Sequence, residues 1–154
     1  MIKKFLFSLI FFIFLTNCGF KVVNKNLYNF SIKEITTKGD DKINFILRNK
    51  LKTQSGENKY NIKLDLLSKK TKNIKEKNIK NEITKYQITI SVNVDYTVIE
   101  FSKAGNFVIE KNRSFNVEDQ YSQTVTNENN LIDAMSKEIS DEINNNLIII
   151  TNDL

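Results

Sequence analysis

Apolar and polar residues alternate without a break from Tyr86 to Val98. Tyr86, Ile88, Ile90, Val92, Val94, Tyr96 and Val98 stand against Gln87, Thr89, Ser91, Asn93, Asp95 and Thr97. A β-strand sends successive side chains to opposite faces, so this period of two, rich in β-branched residues, predicts a strand with one buried face. The run continues out of phase through Ile99 and Phe101, which marks a bulge or the strand's end. Lys103-Ala104-Gly105-Asn106 reads as a hairpin turn, because Gly and Asn tolerate positive φ. Phe107-Val108-Ile109 and Ser114 to Val117 then form a further strand, antiparallel to the first.

Upstream, Tyr28, Phe30 and Ile32 alternate within a strand at 27–35, and Thr36 to Gly39 reads as a turn. Asp40 or Asp41 can cap a helix whose apolar side carries Ile43, Ile46, Leu47 and Leu51. Ser55-Gly56 offers that helix a left-handed exit. Tyr60, Ile62, Leu64 and Leu66 mark another strand. Residues 69–85 follow no period and hold seven lysines and two glutamates, a long loop or extended hairpin tips. Gln120 to Asn127 reads as a polar connection. The last helix begins near Asn127 or Asn129, with Leu131, Ile132, Met135, Ile139, Ile143 and Leu147 down one side. Asp133, Lys137, Glu138, Asp141 and Glu142 lie on the other, and the end frays over 147–150. The order β-α-β-β-β-α predicts an α+β domain: a four-stranded, mostly antiparallel sheet with two helices packed on one face. The expected core is Phe30, Ile32, Ile46, Leu47, Ile62, Leu64, Ile90, Val92, Val94, Ile139 and Ile143.

The start of the chain has a different character. After Met1-Ile2-Lys3-Lys4, the eleven residues Phe5 to Leu15 are apolar except for Ser8. That run is shorter than the ~20 residues needed to span a bilayer and fits the apolar part of a secretory signal. It leads into Leu15-Thr16-Asn17-Cys18, and Cys18 is the single cysteine of the chain. A signal ending in this box is similar to those of bacterial lipoproteins, although Asn17 stands where a smaller residue is usual. The similarity implies cleavage before Cys18, with diacylglycerol on its thiol and a third acyl chain, such as palmitate, on the new amino group. Each buried methylene adds ~0.8 kcal/mol of membrane affinity, so three chains make a lasting anchor. The expected organisation is a cleaved signal at 1–17, a lipidated tether at 18–26 and one domain at 27–154.

Cleavage takes Lys3 and Lys4 away and lowers the formal charge from +5 to +3, which gives no reason to expect nucleic acid as a partner. One cysteine allows no internal disulfide, so the fold must rest on packing. The chain has no histidine, its four glycines form no phosphate loop, and its carboxylate pairs fall where capping and solvation account for them. An enzyme, a cofactor and a metal site are therefore not expected.

Cys18-Gly19-Phe20 behind a signal, followed by β-α-β-β-β-α over the whole mature length, resembles the lipopolysaccharide-assembly lipoprotein family of Gram-negative bacteria. The resemblance implies a lipid-anchored outer-membrane protein facing the periplasm. Such a protein plugs a β-barrel translocon, supports lipopolysaccharide transport and has that barrel and lipopolysaccharide as partners. Only the anchoring Cys18 carries over residue by residue. The alternative is a stand-alone periplasmic ligand-binding or transporter-accessory lipoprotein. Lipopolysaccharide carries phosphates and acidic sugars. The candidate contacts are Lys103, Lys111 and Arg113, because a rigid hairpin holds cations better than a flexible loop and Arg can grip a phosphate with two parallel bonds.

Overall fold

The computed structural model describes residues 29–54 and 60–154. The signal, Cys18, the whole tether, residues 27–28 of the expected first strand and the Ser55-Gly56 exit lie outside these residues. Strand β1 (Phe30–Gly39) leads into helix α1 (Asp41–Gln54), followed by β2 (Tyr60–Lys77), β3 (Ile83–Val98), a single 3-10 turn (Ile99–Phe101), β4 (Lys103–Asn116) and helix α2 (Tyr121–Asn152). The four strands lie in the order β1-β2-β3-β4. β1 runs parallel to β2, which a crossover the length of α1 makes possible, while β2–β3 and β3–β4 are antiparallel.

The helices cover one face of this α+β sheet. Beneath them the core takes Phe30 and Ile32 from β1, Ile62, Leu64 and Leu66 from β2, and Ile88, Ile90, Val92, Val94 and Val98 from β3. Ile43, Leu47 and Leu51 enter it from α1, and Ile132, Met135, Ile139, Ile143 and Leu147 from α2. Ile46 differs from expectation: it is only half-buried and lines a groove with Phe45 on the outer side of α1. Ile43, one turn earlier, takes the buried place.

The joint between β1 and α1 is locked to β2. Gly39 adopts φ +103° and ends β1, so it belongs to the strand and not to a separate turn. Asp40 then caps the helix: the Ile43 backbone N–H donates to its Oδ1 at 3.1 Å. The Asp40 N–H donates to Ser68 Oγ at 3.0 Å, and Ser68 Oγ bonds the buried Asn44 Oδ1 at 2.8 Å.

Four other boundaries differ from the sequence reading. Residues 69–77 and 83–85 are strand, so the β2–β3 hairpin runs on as a ribbon closed by a five-residue turn at 78–82. Lys103 to Asn106 belong to β4 and pair with Val98 to Asp95. The reversal happens earlier, where Ser102 supplies the left-handed residue at φ 50°. Residues 107–109 and 114–116 are parts of one continuous strand, which Asn116 ends before Val117. Helix α2 starts at Tyr121, six residues before Asn127, and runs through 147–150 without fraying.

Candidate functional site

Residues of β4 alternate between the two faces of the sheet. Ile109 and Phe115 are buried under the helices, which places Lys111 and Arg113 on the same side. There α2 meets them. Arg113 Nη2 donates to both carboxylate oxygens of Glu138, at 2.8 and 3.0 Å, and Lys111 pairs with Glu142. From α1, Lys42 reaches Asp133 at 2.9 Å and Lys50 reaches Asp141 at 2.7 Å, while Lys72 of β2 bonds Glu128. The acidic residues of α2 therefore bind the helix to three neighbouring elements. Lys103 stands apart, exposed at the first position of β4. Ten residues of strand separate it from Arg113, roughly 33 Å at ~3.3 Å per residue. The structure brings together two of the three candidate contacts and gives those two internal partners.

The β2–β3 ribbon holds the larger set of cations. Lys72 Nζ lies 4.3 Å from the Tyr86 ring centroid, besides bonding Glu128. Lys70 pairs with Asp40 at 3.0 Å and Lys85 with Glu76 at 2.8 Å. Lys75 and Lys77 bond uncharged groups, Ser114 Oγ at 2.9 Å and Asn81 Oδ1 at 3.0 Å. Among the described residues neither is in an ion pair with a carboxylate. The tip that follows them is ordered by Asn78, whose Oδ1 accepts from the N–H groups of Lys80 and Glu82 at 2.9 and 3.0 Å. Asn81 sits there at φ 64°. Ile79 is fully exposed at this tip and Ile74 is half-exposed. Sequence reasoning gave this stretch no fixed geometry, because neither face of the ribbon is buried and no apolar period marks it.

The face of the sheet away from the helices is polar. β3 presents Gln87, Thr89, Ser91, Asn93, Asp95 and Thr97 there, and Asp65 lies directly opposite Asp95 across the β2–β3 pair. A shallow groove of about 230 Å³ lies against both aspartates, Thr36 and Lys38. On the other side, α1 and α2 frame a more apolar groove of about 470 Å³ between Phe45, Ile46 and Lys137.

Two carboxylates are held below their usual range. Partial burial pushes Asp40 up, but the Lys70 ammonium and the backbone N–H groups of Ile43 and Lys42 outweigh it. Glu100, in the 3-10 turn, is lowered mainly by the Asn61 backbone N–H, which reaches its carboxylate at 2.9 Å. Both serve the fold.

Solved structures share this arrangement. Rare lipoprotein B from Shewanella oneidensis superposes with a TM-score of 0.59 at 13% identity, covering 78% of this chain and 97% of that one. Lipoprotein B from Nitrosomonas europaea superposes with a TM-score of 0.60 at 13% identity, over 87% of this chain and 93% of that one. The chain has the fold of these lipoproteins. No protein-family model matches it, and no curated protein does. At such identity the likeness extends to the path of the backbone and assigns no side chain a role. Among the described residues no helix is long and apolar enough to cross a membrane.

Proposed function

We propose that the chain is a lipid-anchored, non-catalytic outer-membrane subunit that assembles with and plugs a β-barrel translocon, supporting the delivery of lipopolysaccharide. The reading rests on one coincidence: the lipoprotein-B fold stands behind a Leu15-Thr16-Asn17-Cys18 signal box. The barrel partner follows from the family resemblance, and the hydroxyl- and amide-rich open face of the sheet suits a water-filled lumen.

The cations favour the ribbon as the lipopolysaccharide contact. Arg113 and Lys111 must leave Glu138 and Glu142 before they can hold a phosphate, whereas among the described residues no carboxylate is paired with Lys75, Lys77 or Lys80. Hydrogen bonds to Ser114 and Asn81 hold Lys75 and Lys77 on β2, so the geometric advantage first expected of the β4 residues applies to β2 as well.

Extraction in mild detergent tests the assembly: a co-purifying outer-membrane barrel is the expected result, and its absence favours the stand-alone ligand-binding lipoprotein. Intact mass of the same sample is to show loss of residues 1–17 and a triacylated Cys18. Lipopolysaccharide binding is then compared for Lys75→Ala/Lys77→Ala/Lys80→Ala and for Lys111→Ala/Arg113→Ala. Loss in the first variant alone supports the ribbon, loss in the second alone returns the contact to β4, and loss in neither refutes direct binding through either group.

A further inference from the structure

The domain has two distinct ends, and the chain leaves toward its lipid anchor from one of them. At that end the Tyr60 N–H donates to Asn29 O at 3.1 Å, Asn29 Nδ2 donates to Asn152 Oδ1 at 2.8 Å, and Tyr60 packs on Phe101 with ring centroids 5.7 Å apart. The start of β1, the 3-10 turn and the C-terminal end of α2 therefore meet. This end exposes large apolar side chains to solvent: Ile99 at 42%, Phe101 at 53% and Ile149 at 59%. Glu100 and Lys103 flank Phe101 in sequence and Asp153 follows α2, and Glu100 is turned back onto Asn61. The cationic ribbon tip lies at the opposite end. The 16 residues of β3 separate the two, about 50 Å at ~3.3 Å per residue.

We propose that, while the domain is not engaged with a barrel, the turn at Ile99–Phe101, together with Ile149, seats it on the surface of the bilayer that holds its anchor, with the ribbon tip directed away from that surface. The proposal rests on acylation of Cys18. Twelve residues separate Cys18 from Phe30 and reach at most about 40 Å however they are arranged. That is shorter than the domain, so an anchored chain cannot stand inverted with its ribbon tip down. Its apolar end stays within the tether's reach of the lipid, where Phe and Ile gain by entering the boundary between headgroups and acyl chains. Exposed apolar residues gathered at one end of a tethered domain have in that surface a partner always within reach.

The test uses the full lipoprotein purified in detergent and reconstituted into vesicles of phosphatidylethanolamine and phosphatidylglycerol. With Cys18 acylated, Phe101→Cys, Ile149→Cys or Ile79→Cys each introduces one free thiol for an environment-sensitive fluorophore. Labels at 101 and 149 are expected to shift to the blue and to lose most of their emission when brominated lipids replace ordinary ones, while the label at 79 does neither. Two labelled positions guard against one variant that misfolds. Labels at 101 and 149 that stay unquenched overturn the seating, as does a pair shielded from aqueous iodide but untouched by brominated lipid, which indicates contact with protein. Intact mass separates the two levels: an acylated chain with unquenched labels sinks the seating alone, and an unmodified Cys18 sinks the anchor with it.

Discussion

Gly39→Ala is expected to be the most damaging single-methyl addition in the described part of the chain. At φ +103° an L side chain is strained wherever it points, at a cost of about 1–3 kcal/mol. A Cβ built there lies 1.8 Å from the backbone oxygen of Ser68. That oxygen belongs to the β1–β2 ladder and cannot swing aside as a side-chain end could, so overpacking adds a further ~1–3 kcal/mol. Any shift that relieves the clash also disturbs the bonds from Asp40 to Ser68 and the cap on α1. The sum, roughly 2–6 kcal/mol, is a large share of the 5–15 kcal/mol that holds a domain folded. Gly105→Ala is the internal control. Its Cβ meets the hydroxyl end of Tyr96 at 2.5 Å, a group that can rotate away, and its backbone is not left-handed. Urea unfolding followed by far-UV circular dichroism gives both values. A Gly39→Ala loss below about 1 kcal/mol, or one no larger than that of Gly105→Ala, refutes the account of this joint.

Ile90→Ala is expected to cost about 2–5 kcal/mol, because Ile90 is fully buried. Thr89→Ala, on the open face, is expected to cost about 0.5 kcal/mol or less in the same assay, and equal losses would mean the strand is buried on both sides. Asp40 titrates below its unfolded value, so its stabilising contribution is complete above the unfolded pKa of about 3.9 and is lost as pH falls through the lower folded value. The stability gap between the native protein and Asp40→Asn is therefore to stay level from pH 7 to about 5 and close on further acidification; a gap independent of pH contradicts the Lys70 pairing. Arg113→Ala removes a half-exposed ion pair and is expected to cost about 1 kcal/mol at most, shrinking in high salt. A larger loss that salt leaves unchanged would show that the side chain is packed more than paired.

The sheet was legible where one face of a strand is buried. Tyr86 to Val98 alternates because Ile88, Ile90, Val92 and Val94 lie under the helices, and the fold class follows from that pattern and the two amphipathic stretches. The ribbon was not legible because β2 buries neither face beyond Ser68, and a periodicity that arises from burial disappears with it. The first turns of α2 were missed for a related reason: Thr124 is the only buried residue before Ile132, so the apolar stripe begins about three turns after the helix does. The reversal before β4 was placed at Gly105 and Asn106 from their tolerance of positive φ, yet Ser102 takes the left-handed conformation. Among the candidate contacts, the sequence shows that Lys111 and Arg113 are cationic but not that Glu142 and Glu138 arrive beside them, since the partners stand 25 to 31 residues apart in the chain, on different elements.

The position of α2 in the chain also bears on how the protein is made. Its ion pairs join it to elements far earlier in sequence, Lys42 to Asp133 and Lys50 to Asp141 among them, and of the described elements it is synthesised last. Until residues 121–152 are available, Ile88, Ile90, Val92 and Ile109 have no helix above them, although the β3–β4 hairpin beneath is local and can form early. A partly emerged chain would therefore carry an apolar sheet face open to other chains. A stop placed before Tyr121 is for the same reason more than the loss of one helix: it removes the cover from the sheet and leaves a sticky plate.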